Sequence, residues 1–517
     1  MQQLPIGIQT FRKIREKNLL YIDKTKEIKE LIESGNYFFI SRPRRFGKSL
    51  LLSTLAEVFR GNKELFKGLY IYDKIEWEEY PVIRLDMSNV ISSTDEESFN
   101  LSILNMLNII GDEYNVKIDN PINHVDAFRK LIILLSEINK VVILIDEYDK
   151  PILDNIINQE ISKRNRNLLR DFYSVLKTYD QYIKFCLLTG VSKFSKVSVF
   201  SGLNNLRDIT INAQFSTICG LTQKEVDEYF EDRMGWISEK LKLTKEELRE
   251  KIKLWYNGYS WDGENKVYNP FSILNFYADG QFNNYWFSTG TPTFLMERAK
   301  IDKINIEEIE NKRVGIEIFD SFDIENINFL SLLFQTGYLT ISSINYEKGI
   351  CVLNYPNEEV RKSFLIHIAA NYLNTEVTEI RPIYNDLLDM LKCGEIEKFI
   401  KTLRSIISKI PYQLHIAKES YYHSIFYVIL DLMGIEMQTE QSTSKGRIDG
   451  VIEFNDKIYI IEFKYLSENK EIESVLNNAI KQIKEKEYYL PYINKNKPIK
   501  YLAIAVNREV VEYKLEE

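Results

Sequence analysis

Gly47-Lys48-Ser49 stands between an apolar run, Tyr37 to Ile40, and an apolar, helix-compatible run, Leu50 to Phe59. A strand, a basic turn and a helix in that order make a phosphate cradle. Backbone N–H groups at the helix N-terminus face the anion, the lysine reaches the β- and γ-phosphates, and the serine hydroxyl holds Mg²⁺. The turn reads Arg42-Pro43-Arg44-Arg45-Phe46, which makes Arg44, Arg45, Phe46, Gly47, Lys48, Ser49 and Leu50 the candidate contacts of a triphosphate. In the pattern GxxxxGK[ST] the leading glycine falls at position 42, and here that residue is Arg42. A second stretch supplies acid. Val141 to Ile145 is aliphatic throughout and runs into Asp146-Glu147. Continuous apolar runs of this kind suit a parallel strand buried on both faces. Asp146 at its carboxyl end would reach the Mg²⁺ held by Ser49, and Glu147 would orient or activate an attacking water. Taken alone, Asp146-Glu147 also fits a surface turn. Together with Gly-Lys-Ser, in this order, it points to binding and hydrolysis of a nucleoside triphosphate.

A separate constellation lies near the other end of the sequence. Arg447 to Phe454 and Lys457 to Lys464 read as two strands, and Asn455-Asp456 fits a two-residue hairpin turn. That turn sets Asp449 directly opposite Glu462 on one face, with Cβ atoms about 4.5–5.5 Å apart. Lys464, two residues on, shares the face. Two like charges opposed in a sheet are destabilising unless something offsets them, and a divalent cation prefers carboxylate oxygens. Asp449 and Glu462 are therefore candidate metal ligands. Lys464 is then placed to stabilise a phosphoryl transition state or position water. The alternative is a solvated charged hairpin, in which a lysine rather than an aspartate would face Glu462.

The elements that must position these groups follow from periodicity. Val82 to Asp86 and Ile183 to Gly190 read as further strands; Phe99 to Ile110, Ala127 to Ile138 and Asn167 to Tyr179 read as helices. Strands alternating with helices predict a parallel sheet with helices on both faces, with ligands at the carboxyl ends of the strands. Thr189 or Ser192, at such an end, could sense a γ-phosphate. Ahead of the first strand, Lys26 to Ile32 reads as a short helix capped by Asp23 or Thr25, either packing or helping to hold a base. Thr222 and Thr244 should cap helices over Gln223–Met234 and Lys245–Tyr256, Thr222 with Glu225 in a capping box. The aromatic stretch from Trp255 to Phe271 is better explained by core packing than by stacking on nucleic acid. Phe329 to Thr336 should be a helix followed by a hairpin, Tyr338–Ser343 with Ile350–Asn354, the outline of a winged helix. Its basic content is thin, which favours a lid or interaction role. From Gln413 to Met433 a helix closes at Gly434. Ile435–Gln438 reads as a short strand, Thr443–Gly446 as a loop, Ala479–Tyr489 as a helix with Gln482, and Ile499–Val506 as a last strand.

Bulk numbers bound the reading. The chain has 517 residues, 44% hydrophobic and 27% charged, enough for two to four globular domains with substantial cores. The net charge of −8 argues against a dedicated nucleic-acid binder, so any such contact must be a local patch or depend on a metal. Cys186, Cys219, Cys351 and Cys393 are scattered without CxxC spacing and suit free thiols in the cytoplasm. Neither a signal peptide nor a membrane span is expected.

Tyr21-Ile22-Asp23-Lys24-Thr25, Arg42 to Ser49, Asp146 to Pro151, Thr189 to Ser195 and Gly446 to Asp449 together resemble a bacterial family of AAA-ATPase-like proteins with an appended PD-(D/E)XK nuclease-superfamily domain. The Arg-Pro-Arg-Arg-Phe-Gly-Lys-Ser form is usual in that family, so Arg42 does not imply a defective loop. The order helix, three strands, helix, strand, with Asp449 and then Glu462-Phe463-Lys464, resembles the superfamily core. The resemblance implies that Glu419 supplies a further metal-binding acid and that Gln482 joins the site. Ile448 stands where a proline is usual. The resemblance thus implies an α/β chain with three parts. Residues 1–220 would form a P-loop ATPase domain, 221–375 a helical, winged-helix-like lid, and 376–517 a restriction-endonuclease-like domain. The expected function is a cytoplasmic ATPase coupled to a Mg²⁺-dependent nuclease acting on nucleic acid, DNA first. The rival is an ATP-driven switch that binds a partner without cutting. A third reading is a homo-oligomer working as an AAA-type motor, which would need an arginine finger; Arg207 is the nearest candidate.

Overall fold

The computed structural model describes residues 1–193, 205–287, 309–320, 328–408, 419–433, 449–467, 470–507 and 509–517, with Leu295, Met296 and Ala299. By internal contact the chain divides into two units, Met1–Gly290 with Asn311–Val360, and Thr291–Glu310 with Arg361–Glu517.

The first unit is built on five parallel strands, β1 (Tyr37–Ser41), β2 (Val82–Asp86), β3 (Val141–Asp146), β4 (Ile183–Gly190) and β5 (Arg207–Asp208), in the order β2-β3-β4-β1-β5. All six residues of β3 are buried, which is why its sequence is aliphatic without alternation. The connecting helices are α1 (Phe11–Glu16), α2 (Thr25–Glu33), α3 (Lys48–Phe59), α4 (Glu96–Glu113), α5 (His124–Ser136), α6 (Lys150–Leu153) and α7 (Gln159–Thr178). Asp95, Asn123 and Asn158 cap α4, α5 and α7 through backbone N–H groups of the first turn. At α2 the residue engaged is Asp23, which accepts from Thr25 N at 2.8 Å and Tyr70 N at 2.7 Å. Helix α1, too short to show a period, was not expected from the sequence.

A helical layer follows: β6 (Leu221–Thr222), α8 (Gln223–Leu241), α9 (Lys245–Tyr256), β7 (Val267–Tyr268) and α10 (Pro270–Asp279). Both capping boxes form, Thr222 with Glu225 and Thr244 with Glu247. Tyr256, Tyr259, Trp261 and Tyr268 are buried, so these rings pack the core and are closed to nucleic acid. Next come β8 (Lys312–Gly315), α11 (Phe329–Thr336), β9 (Thr340–Asn345) and β10 (Ile350–Asn354). The helix and hairpin are as expected. Strand β8 is an addition, pairing with β10 to give the order β8-β10-β9. Its sequence, Lys-Arg-Val-Gly, carries too little apolar signal to announce a strand.

Helix α12 (Glu358–Leu373) leads into α13 (Val377–Cys393), α14 (Ile396–Ser408) and α15 (Glu419–Leu432). The second unit's sheet, with α16 (Ile472–Glu485), consists of β11 (Gly450–Glu453), β12 (Ile458–Tyr465), β13 (Ile499–Val506) and β14 (Val511–Glu516), in that order. Helix α16 starts and ends earlier than the expected Ala479–Tyr489, and β14 is an unanticipated antiparallel edge. Arg447, Gly434, Ile435–Gln438 and Thr443–Gly446 lie outside the described residues. No described helix is long and apolar enough to cross a membrane.

One buried acid ties the first unit together. Glu359 is 1% exposed and accepts from Trp286 N at 2.7 Å, while the Trp286 indole donates to Arg44 O at 3.1 Å. Burial pushes the Glu359 carboxyl up to about 7. Its folded value exceeds its unfolded one, so its contribution to stability is complete below the ordinary glutamate range and is lost as pH rises through about 7. Glu359→Gln should flatten the fall in the first unit's calorimetric transition between about pH 5 and pH 8, an effect on the order of 3 kcal/mol.

Candidate functional site

The turn between β1 and α3 forms an open cradle. Gly47 adopts φ 88°, and a Cβ there would meet nothing within 4 Å. Helix α3 begins at Lys48 with no side-chain cap on its N-terminal N–H groups. Uncapped N–H groups beside free space suit an anion. Lys48 is 5% exposed, and its ammonium donates to Arg42 O at 2.8 Å and Pro43 O at 2.9 Å. Burial pulls its pKa down, and Asp146 and Glu147 pull in the opposite direction. Ser49 and Leu50 are half-buried at the start of α3; Arg44 and Arg45 are exposed. The Arg45 guanidinium lies 4.8 Å from the Phe271 ring centre. Phe46 supports the turn from the core side. It is buried edge-on against Tyr259 and Trp261 and anchors the turn.

Arg42 explains how the turn forms without its leading glycine. It is 1% exposed, donates to Ser41 O and Thr210 O, both at 2.8 Å, and to Phe215 O at 3.3 Å, and stacks 4.0 Å from the Trp261 ring centre. The left-handed backbone falls instead on Arg45, φ 67°, and Gly47.

The acids stand at the end of β3. Asp146 is 3% exposed and accepts from Thr189 Oγ1 at 2.7 Å and Glu147 N at 3.1 Å. Thr189 therefore spends its hydroxyl on Asp146. Glu147 has φ 48°, a left-handed conformation that costs a non-glycine residue about 1–3 kcal/mol. Burial raises its pKa against the pull of Lys48. Asp149 is buried and accepts from Val191 N, Ser192 N and Ser192 Oγ, the last two at 2.6 Å, so Ser192 is also engaged. Gly190 permits this closeness: a Cβ there would sit 2.5 Å from the Tyr148 ring. Arg207 is exposed on β5 and donates to Ser34 O at 3.4 Å.

Beside Gly47 opens a largely apolar cavity of about 90 Å³, lined among others by Tyr21, Ile22, Lys24, Phe46, Cys219 and Leu221. Residues ahead of β1 thus do reach the space next to the cradle.

In the second unit, Gly450 faces Ile461 and Glu453 faces Ile458, the register that a two-residue turn imposes. Asp449 immediately precedes β11, and its carboxylate accepts from Phe463 N at 2.8 Å. Glu462 is 1% exposed. Its Oε1 accepts from Lys464 Nζ at 2.9 Å and from Gln482 Nε2, while its Oε2 is buried with no hydrogen-bond partner. Burial first, and Asp449 second, push the Glu462 carboxyl up to about 8. Asp449, Glu462, Lys464 and Gln482 are thus gathered at one place. Glu419 opens α15, but its side chain is outside the described residues. That helix docks through Phe426, stacked 3.9 Å from Phe463. No three His, Cys, Asp or Glu side chains among the described residues are grouped to hold a metal. The orphaned Glu462 oxygen next to a second carboxylate nonetheless fits a divalent cation.

A family model described as Predicted AAA-ATPase matches residues 5–200, and one described as PD-(D/E)XK nuclease superfamily matches residues 417–516. The chain is 37% identical over 519 residues to a protein of Azotobacter chroococcum mcd 1 described as "Uncharacterized protein in vnfD 5'region", covering 98% of this chain and 97% of that one. The chain belongs to the AAA-ATPase-like family with a C-terminal PD-(D/E)XK nuclease-superfamily domain. No solved structure matches it. The AAA-ATPase-like match contains Lys48, Asp146, Glu147 and Thr189; the nuclease-superfamily match contains Glu419, Asp449, Glu462, Lys464 and Gln482.

Sequence reasoning missed Arg84 on β2, which donates to Ser49 O at 3.3 Å and feels the charge of Asp146. Its signal was a cation inside an otherwise apolar strand. Restoring the glycine by Arg42→Gly should not improve this AAA-ATPase-like cradle. Removing a buried, carbonyl-bound guanidinium should cost about 3 kcal/mol or more in denaturant unfolding, with no gain in nucleotide affinity.

Proposed function

We propose that the protein is an ATP-binding and ATP-hydrolysing regulator joined to a divalent-metal-dependent nuclease that cleaves phosphodiester bonds in DNA, working in the cytoplasm. The observation that carries the cutting half is Glu462: a carboxylate almost wholly removed from water, with one oxygen lacking any partner, beside Asp449 and Lys464. A buried carboxylate with an unsatisfied oxygen is costly unless a proton or a metal takes that oxygen. Asp449 and Glu462 would hold Mg²⁺, with Glu419 as a third donor. The ion would supply Lewis-acid polarisation of a phosphoryl oxygen. Lys464 would steady charge on the phosphoryl group, and Gln482 keeps Glu462 oriented.

For the nucleotide half, the uncapped N-terminus of α3 would receive the phosphates, with Lys48 nearest the β/γ oxygens. Ser49 and Asp146 would hold its Mg²⁺. Glu147 would take the proton of the attacking water, a role suited by a raised carboxyl pKa. The base would occupy the apolar cavity beside Gly47.

The rival, a switch that binds without cutting, draws on the Lys464–Glu462 ion pair, which offsets the acid's charge with no metal at all. Incubating wild type, Lys48→Ala and Asp449→Asn with ATP, linear and circular DNA, and either Mg²⁺ or a chelator separates them. Wild type should lose intact DNA only with the metal. Asp449→Asn should cut roughly a hundredfold more slowly or worse, since even outer partners of metal ligands are worth ten- to a hundredfold. It should keep ATPase activity. Lys48→Ala should lose nucleotide binding. Equal cutting by Asp449→Asn removes the nuclease assignment.

A further inference from the structure

Gln482 and Lys486 lie one helical turn apart at the end of α16, with Lys486 N bonded to Gln482 O at 3.0 Å. Residues at this spacing share a side of the helix. The side is fixed by Gln482, whose amide reaches Glu462. Lys486 is half-buried there, on the side of the helix that meets Glu462 through Gln482. Several other lysines of this unit are tied to acids: Lys481 to Glu485, Lys484 to Glu516, Lys495 and Lys497 to Glu453, and Lys500 to Glu517. No ion pair among the described residues engages Lys486. It is a half-buried cation on the side of α16 that meets Glu462.

We propose that Lys486 is a phosphate contact of the nuclease-like site, binding the nucleic-acid backbone next to the group that Lys464 serves. The inference rests on the nuclease reading above. Asp449 and Glu462 bring two negative charges, and Lys464 and Lys486 bring two positive ones. With a divalent ion on the acids, the surroundings carry surplus positive charge, which a phosphodiester backbone answers at one charge per phosphate. The plain alternative is a lysine that only complements the carbonyl end of α16. Such a lysine would affect stability and leave nucleic-acid binding alone.

The test measures binding by the full chain carrying Asp449→Asn, in chelator, by fluorescence anisotropy against salt, with a DNA duplex and a single-stranded RNA as probes. Adding Lys486→Met should weaken binding several-fold. It should also reduce the slope of log Kd against log salt by about 0.9 on the duplex, or about 0.7 on the single strand, whichever polymer is the ligand. Lys486→Arg should restore the slope. Lys481→Met, an exposed lysine of the same helix, should not change it, and the melting temperature should stay put in all of them. Unchanged slopes with Lys486→Met, in a protein that still binds, overturn this inference alone. If the Asp449→Asn chain binds neither polymer at any salt, this inference and the nuclease reading fall together.

Discussion

Lys48 and Glu462 each carry an ionisable group that the fold has drawn out of water, and the surroundings of both are arranged around that cost. Moving an ion from water into protein costs several kcal/mol even after relaxation. A hydrogen bond to a charged group returns about 1.5–3 kcal/mol. Lys48 has two carbonyl acceptors, and Asp146, Glu147 and Asp149 oppose the effect of its burial. Glu462 has two donors on one oxygen and none on the other. Its balance tips toward the neutral form, which is why its carboxyl is pushed up to about 8. The first site is satisfied as it stands; the second is satisfied only by a proton or a cation.

Backbone strain sits next to anchors in the first site. Arg45 and Glu147 both adopt left-handed backbone, at about 1–3 kcal/mol each. Each is followed at once by a ring driven into the core. Phe46 meets Tyr259 and Trp261, and Tyr148 is buried against Phe39, with its hydroxyl on Ser192 O. Burying a large ring contributes about 1.5–3 kcal/mol, comparable to the strain beside it. The turns can therefore hold their backbone N–H groups and acids in positions that local preference would refuse.

The parts of the structure legible in the sequence are those with a local signature. Continuous aliphatic runs gave β3 and β4, threonine three residues before glutamate gave the caps of α8 and α9, and the short turn at Asn455-Asp456 gave the register of β11 with β12. That register is what brings Asp449 to the backbone of Phe463 and beside Glu462. The illegible parts depend on partners distant in the chain. Nothing near Arg42 says that its guanidinium will bind carbonyls at Thr210 and Phe215. Thr189 looked available at a strand end, and only the pairing of β3 with β4 shows it committed to Asp146. Strands β8 and β14 are half-exposed edges with mixed polarity, where pairing rather than pattern decides.

The cradle, braced locally by Lys48, also borrows rigidity from the layers after the sheet. Arg42 leans on Trp261, Phe46 on Tyr259, and the Arg44 carbonyl on the indole of Trp286, which Glu359 holds in turn. Lys193, just past β4, bonds through its backbone to Gln335 of α11. A glycine-led turn can close on an anion by its own flexibility. This turn, with Arg42 in the leading place, is held by the carbonyls of Thr210 and Phe215 and by the Trp261 and Trp286 side chains, all distant in the chain. Displacing Arg42 or the Arg44 carbonyl would disturb their contacts with Trp261 and Trp286. The helical layer is mechanically part of the site, and the absent glycine is the reason.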